Sequence, residues 1–219
     1  MVTPSIPARI RMHLPLIEGT PISMSGAIHP AEQSTAEECA DCARLRGCQR
    51  CFEELVRRFQ ASLLHYLLRR VKRQQEAEDL VQETFLIAYS KIGTYRSSWR
   101  FSTWLFTIAH RLAVSDWRKR TAAENAVNRM PQRAAAVDPS SVAQASESRT
   151  RLWDVAEEVL EPEPVAALWL SYVELLSAEE IGLVLNRNAN SVRILLHRAR
   201  GRLRKALTER QISLESYHE

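Results

Sequence analysis

Cys39, Cys42, Cys48 and Cys51 are the only cysteines in the chain, and their spacing is C-x2-C-x5-C-x2-C. Two C-x2-C pairs can supply the four thiolates of a tetrahedral zinc site, and Gly47 in the spacer lets so short a loop close. The same four residues could also form a thiol–disulfide switch, hold an iron–sulfur cluster, or stand as unmetallated helical thiols. A second chemistry is non-covalent. Arg193, His197, Arg198, Arg200 and Arg204 share one side of a helical period, with no acid before Glu209, and such a face seeks phosphate. A third lies in 94–120, where Tyr95, Trp99 and Trp117 stand among Arg100, His110, Arg111, Arg118, Lys119 and Arg120. A ring stacks on any unpaired base while a neighbouring cation neutralises its phosphate. No Gly-rich phosphate loop, H-E-x-x-H or nucleophile elbow occurs, and the six histidines are scattered, so no enzyme is expected.

Helices must carry these residues. Ser177-Ala-Glu-Glu180 is a capping box that opens a helix at 178, with Ile181, Val184 and Leu185 as its apolar stripe and Asn186 as a left-handed stop. Ser191 then caps a second helix with a core face of Val192, Leu195, Leu196, Ala199 and Leu203. This is helix-turn-helix spacing, which brings Asn190, Ser191 and Arg193 nearest to base edges. Upstream, Ala77, Leu80, Val81, Thr84, Phe85, Ala88 and Ile92 line one face of a helix over 75–92. Its other face shows Asp79, Gln82, Glu83 and Leu86, a leucine among acids that suits a basic helical partner. In 101–112 the buried stripe is read as Phe101, Trp104, Leu105, Ile108 and Leu112.

The 219 residues carry Lys+Arg 30 against Asp+Glu 26, are 45% hydrophobic and include only 6 Gly, which favours an all-α protein with a real core. No apolar run approaches the roughly 20 residues of a bilayer span, and no secretory signal precedes the cysteines, so a cytoplasmic chain with reduced thiols is expected. The expected organisation is a disordered tail (1–34), a Cys-rich segment (35–51), a first helical domain (52–120), a flexible linker (121–150) and a helix-turn-helix domain (151–211).

Four stretches together resemble the extracytoplasmic-function type of bacterial sigma factor in the sigma-70 family. They are Ala77-Glu-Asp-Leu-Val-Gln-Glu-Thr-Phe85, Phe101-Ser-Thr-Trp-Leu-Phe-Thr-Ile-Ala109, Leu176-Ser-Ala-Glu-Glu-Ile181 and Ser191-Val-Arg-Ile-Leu-Leu-His-Arg-Ala-Arg200. The resemblance implies a sigma-2-like bundle and a sigma-4-like helix-turn-helix with no domain between them. The implied partners are promoter DNA and core RNA polymerase, through its β′ clamp and β flap. By the resemblance, Asp79, Gln82, Glu83 and Leu86 contact the clamp. Tyr95, Trp99, Arg100, His110, Arg111, Trp117, Arg118 and Lys119 open and read the minus-ten element. Asn190, Ser191, Arg193, His197, Arg198 and Arg200 read the minus-thirty-five element.

Family members often have an anti-sigma partner, and they require no cofactor; zinc on the four cysteines would be an addition. The chain departs from the family at Arg111, where many members have Asn, at Leu175, where Gly is common, and at Asn186 and Asn190 in the turn. Two other classes fit the residues less fully: a helix-turn-helix regulator that binds duplex DNA unaided, and a metal- or redox-sensing adaptor.

Overall fold

The computed structural model describes residues 33–71, 73–127 and 147–210. The tail expected at 1–34 lies outside these residues as far as 32, and the expected linker lies outside them from 128 to 146. Among the described residues there are helices and turns and no strand. In chain order the helices are α1 (Ala36–Arg46), α2 (Gln49–Leu68), α3 (Gln74–Lys91), a 3-10 turn (Ile92–Thr94), α4 (Phe101–Val127), α5 (Glu147–Val159), α6 (Pro162–Tyr172), α7 (Ala178–Leu185) and α8 (Ala189–Glu209).

Helix ends follow from local chemistry. At α1, Thr35 Oγ1 accepts from the Glu38 N–H at 3.2 Å and the Glu38 carboxylate accepts from the Thr35 N–H at 2.8 Å. Gly47 stops α1 in the left-handed region, φ 62°. The Ser177/Glu180 box at α7 is formed as its sequence predicts, and Asn186 ends that helix at φ 55°. The cap of α8 differs from the sequence expectation. Asn188 caps it, its side chain accepting from the Ser191 N–H at 2.8 Å, so the helix begins two residues before Ser191. Asn is as good a cap as Ser, and it stands where the turn already supplies extended backbone. The turn also needs Gly182, because a Cβ there would sit 2.5 Å from the Arg187 carbonyl oxygen.

The apolar face of α3 is buried as its period predicts, from Ala77 to Ala88, with Ile92 half-buried. Phe85, 2% exposed, contributes about 1.5–3 kcal/mol by burial. In α4 the buried face is rotated and wider than the sequence stripe. Ser102, Thr103, Phe106, Ala109, His110 and Ala113 are buried with Phe101 and Leu105, while Trp104, Ile108 and Leu112 are only half-buried. The reason is tertiary: α4 packs on α3 and α2 on one side and on α7 on the other.

That second contact joins the two halves of the chain. Buried residues from Cys39 to Ala113 and from Ala156 to Ala199 form one continuous core. Across the junction, Arg100 Nη1 donates to the Leu175 carbonyl at 3.0 Å and Thr103 Oγ1 to Glu180 at 3.1 Å. Ser62 donates to Glu174 and Arg69 to Glu157. The Arg69 guanidinium also lies 4.9 Å from the Trp153 ring and 5.0 Å from the Trp169 ring. Leu175 bends the chain at this junction in the left-handed region, φ 54°, which explains why a glycine would suit the position.

Candidate nucleic-acid interface and thiol cluster

The helix-turn-helix is α7, the turn 186–188 and α8. Val192, Leu196 and Ala199 are buried against α7 and α6, which turns Asn190, Arg193, His197, Arg198 and Arg200 outward. Ser191 is half-buried, and its N–H is committed to the Asn188 cap. Arg193 is paired with Glu179 on α7. Both members of that pair are more than half exposed, so it is worth little and yields readily to a phosphate. Arg200 donates back to the Leu196 carbonyl at 3.2 Å. A two-pronged ion pair from Arg187 to Glu163 fixes the turn to α6 and holds the Glu163 carboxyl below its ordinary range.

The second interface lies where 95–100 meets α4. Thr94, Arg96, Trp99, Thr103, Trp104, Thr107 and Arg111, with Leu183 of α7, line a cleft of about 220 Å³. Trp99 is 42% exposed, Arg111 is also exposed, and Arg100, Trp117, Arg118 and Lys119 are exposed outside the cleft lining. Two residues expected here face inward instead. Tyr95 is buried against Phe101 and Trp104, and its hydroxyl donates to the Trp99 carbonyl at 3.0 Å, so it shapes the loop from behind. His110 is buried, with Nδ1 3.0 Å from the Tyr66 hydroxyl. Burial, reinforced by Arg70 and Arg111 and opposed by Glu163, holds His110 down at about 4, so it is neutral at pH 7 and brings no charge to DNA. Its partner Tyr66 is on α2, 44 residues away, and the period of α4 alone does not show that contact. Arg96, within the 95–100 loop that the resemblance assigns to the minus-ten element but not singled out there, lines the cleft with Trp99.

On α3, Asp79, Glu83 and Leu86 are exposed and Gln82 half-buried, all on the face away from the core. Leu86 is 43% exposed, an apolar side chain between acids.

The cysteines gather at the α1–α2 hairpin. Cys42 of α1, Cys48 at the N-cap of α2 and Cys51 in the first turn of α2 bring their sulfurs within 4.8 Å of one another. This cluster could hold a metal ion. Cys39, one turn earlier on α1 and 1% exposed, is not in the group, so three of the four expected ligands are brought together. Hydrogen bonding from Cys51 lowers the Cys48 thiol, burial raises Cys51, and burial raises Cys39.

A cationic helix behind a capped turn, and an aromatic and cationic cleft on a second helical module, are an arrangement suited to a two-module DNA-binding protein. Comparison with known proteins gives the family. The Sigma-70 region 2 family model matches residues 55–123 and the Sigma-70, region 4 model matches residues 156–203. The chain is 32% identical over 171 residues to the RNA polymerase sigma factor CarQ of Myxococcus xanthus, covering 77% of this chain and 95% of the relative. It is 33% identical over 171 residues to the RNA polymerase sigma-H factor of Pseudomonas aeruginosa, covering 74% and 89%. The fold is shared with the sigma factor RpoE of Bartonella quintana, solved in complex with the anti-sigma factor NepR, at TM-score 0.59 and 21% identity over 72% of this chain and 96% of that one. The chain belongs to the sigma-70 family, in its extracytoplasmic-function branch. It is a sigma factor that directs transcription initiation.

Proposed function

We propose that the chain docks core RNA polymerase through the Asp79, Gln82, Glu83 and Leu86 face of α3 and reads two promoter elements with two surfaces. In this reading the β′ clamp covers α3. The 95–100 loop and α4 hold the unpaired minus-ten strand through Trp99, Arg96, Arg100, Arg111, Trp117, Arg118 and Lys119. Asn190, Arg193, His197 and Arg198 of α8 enter the minus-thirty-five groove, and Arg200 meets phosphate. The domain limits 52–120 and 151–211 are those of the two readers. The chain contributes binding and no bond-making chemistry, and it works in the cytoplasm; among the described residues no helix is long and apolar enough to cross a membrane.

The observation that carries this reading is the cleft walled by Trp99, Trp104, Arg96 and Arg111. Rings and guanidiniums facing one gap suit an unpaired base with its phosphate. Leu183 of α7 closes one side of that cleft, and Arg100 is tied to the Leu175 carbonyl. The described conformation is therefore a closed state of the free chain, and engagement of both promoter elements requires α7 to leave α4. Core polymerase supplies the binding energy for that opening, and the tether between the readers keeps the second contact at high effective concentration. An anti-sigma partner would act by covering α3 or by holding the closed state. Zinc on the cysteine thiolates belongs to the same reading, since thiolate favours a soft d10 cation.

The test is strand opening by core polymerase with this chain on a permanganate-probed promoter. Trp99→Ala should reduce opening at least about fivefold with unchanged core binding, since base stacking is worth about 1–3 kcal/mol. Unchanged opening would contradict the assignment of the loop.

A further inference from the structure

Helix α1 has 11 residues and buries only Cys39, Ala40 and Ala43. Isolated helices of this length are marginal in water, and three small side chains give it a thin apolar hold. It nevertheless forms the back wall of the Trp99 loop. It packs on the 3-10 turn 92–94 and on α4 as well as on α2. The Glu37 carboxylate accepts from the Phe101 N–H at 3.1 Å, satisfying a donor at the open N-terminus of α4. Glu37, Asp41 and Arg44 set the electrostatic surroundings of Tyr95, the ring that holds the Trp99 carbonyl. Whatever fixes α1 therefore fixes the loop.

The thiols are placed to do that. Cys42 lies on α1, whereas Cys48 and Cys51 lie on α2, so one ion bound to all three ties the two helices across the Gly47 bend. A cation with metal–sulfur bonds of about 2.3 Å needs sulfurs about 3.8 Å apart. The observed spread, within 4.8 Å, exceeds that by at most about 1 Å. Cys42 and Cys48 are half-buried, which leaves the fourth coordination position open to water.

We propose that Cys42, Cys48 and Cys51 form a three-thiolate site for one thiophilic cation, with zinc as the reference ion, and that the bound ion clamps α1 onto α2 and holds the 95–100 loop. Promoter opening then depends on metal. This rests on the reading of that loop as the minus-ten surface. Cys39 packs α1 and is not a ligand.

The test uses the full chain, reduced and metal-free, titrated with zinc against a chromophoric chelator. One zinc per chain is expected, weakened at least about 100-fold in Cys42→Ser, Cys48→Ser and Cys51→Ser. Cys39→Ser should stay within about threefold of the parent, because it removes no ligand. No zinc bound, or equal dependence on Cys39, overturns the three-thiolate site. A thiolate-to-metal charge-transfer band with cobalt in the unmutated chain gives the same answer should the variants lose their fold. Zinc should slow amide exchange over 95–101 at least about tenfold in the parent and not in Cys48→Ser. It should change promoter opening with core polymerase in the parent alone. Zinc binding without either effect overturns the clamp. A chain that binds zinc and fails to bind core polymerase in any metal state sinks the sigma reading of the loop and leaves the metal site standing.

Discussion

Replacing Arg69 with Ala should open the closed chain. Arg69 belongs to the end of α2, and its guanidinium lies over two tryptophans of the second half, Trp153 and Trp169, at 4.9 and 5.0 Å. Partly buried cation–π contacts are worth about 1 kcal/mol each. The ion pair with Glu157, whose carboxylate is 40% exposed, adds no more than about 0.5 kcal/mol. Against these stands Arg69 Nε, buried without a hydrogen-bond partner among the described residues, at a cost of about 1 kcal/mol. The net loss is about 1.5 kcal/mol, which shifts the closed-to-open ratio about tenfold. Small-angle scattering of the free chain should show a larger radius of gyration, and less core polymerase should be needed for half-maximal transcription. Arg69→Lys, which keeps the charge and loses the planar stacking, should fall between the two. An unchanged radius together with an unchanged core requirement would refute the closed-state argument.

Three further outcomes follow from the described surfaces. Leu86→Glu should keep the fold, since the side chain is already half outside, and weaken core polymerase binding at least about tenfold in a competition assay. Arg200→Ala should weaken binding to minus-thirty-five duplexes nearly uniformly and reduce the salt slope of that binding by about one, as loss of one phosphate contact requires. Stability should depend on pH in two windows. His110 is held down at about 4, so below pH 6.5 the unfolded chain binds a proton that the folded chain refuses; this contribution is full above 6.5 and lost as pH falls toward 4. Glu54, held at about 2 by hydrogen bonds from Arg57 and Arg58 against the effect of burial, contributes fully above 4.5 and is lost as pH falls toward 2. Denaturant titration from pH 8 to about pH 2 measures both, and His110→Gln should remove the first window.

What the sequence makes legible is what is local. The Ser177/Glu180 box, the Asn186 stop and the buried face of α3 depend on residues a few positions apart and are formed as read, and on α8 Val192, Leu196 and Ala199 are buried as read while Leu195 and Leu203 are half-buried. Thr35-Ala-Glu-Glu38 is the same capping signature, and it opens a helix the cysteine spacing had obscured. That helix decides which sulfurs meet: α1 geometry sends Cys42 toward Cys48 and Cys51 and buries Cys39. His110 and Tyr95 were illegible for a different reason. Their burial is created by partners 44 residues away for His110, through Tyr66, and by α1 behind Tyr95, and no single helical period carries that information. The junction of α4 with α7 is likewise a long-range contact, and only the Leu175 backbone marks it locally.

The central claim is that one chain lends core polymerase two reading surfaces. Transcription with purified core polymerase and this chain on genomic fragments, with start sites mapped, tests it most directly. The account predicts starts that depend on the chain, share two upstream elements at fixed spacing, and disappear with Leu86→Glu. Transcription that is unchanged by adding the chain, or starts that lack a shared upstream pair of elements, would contradict it.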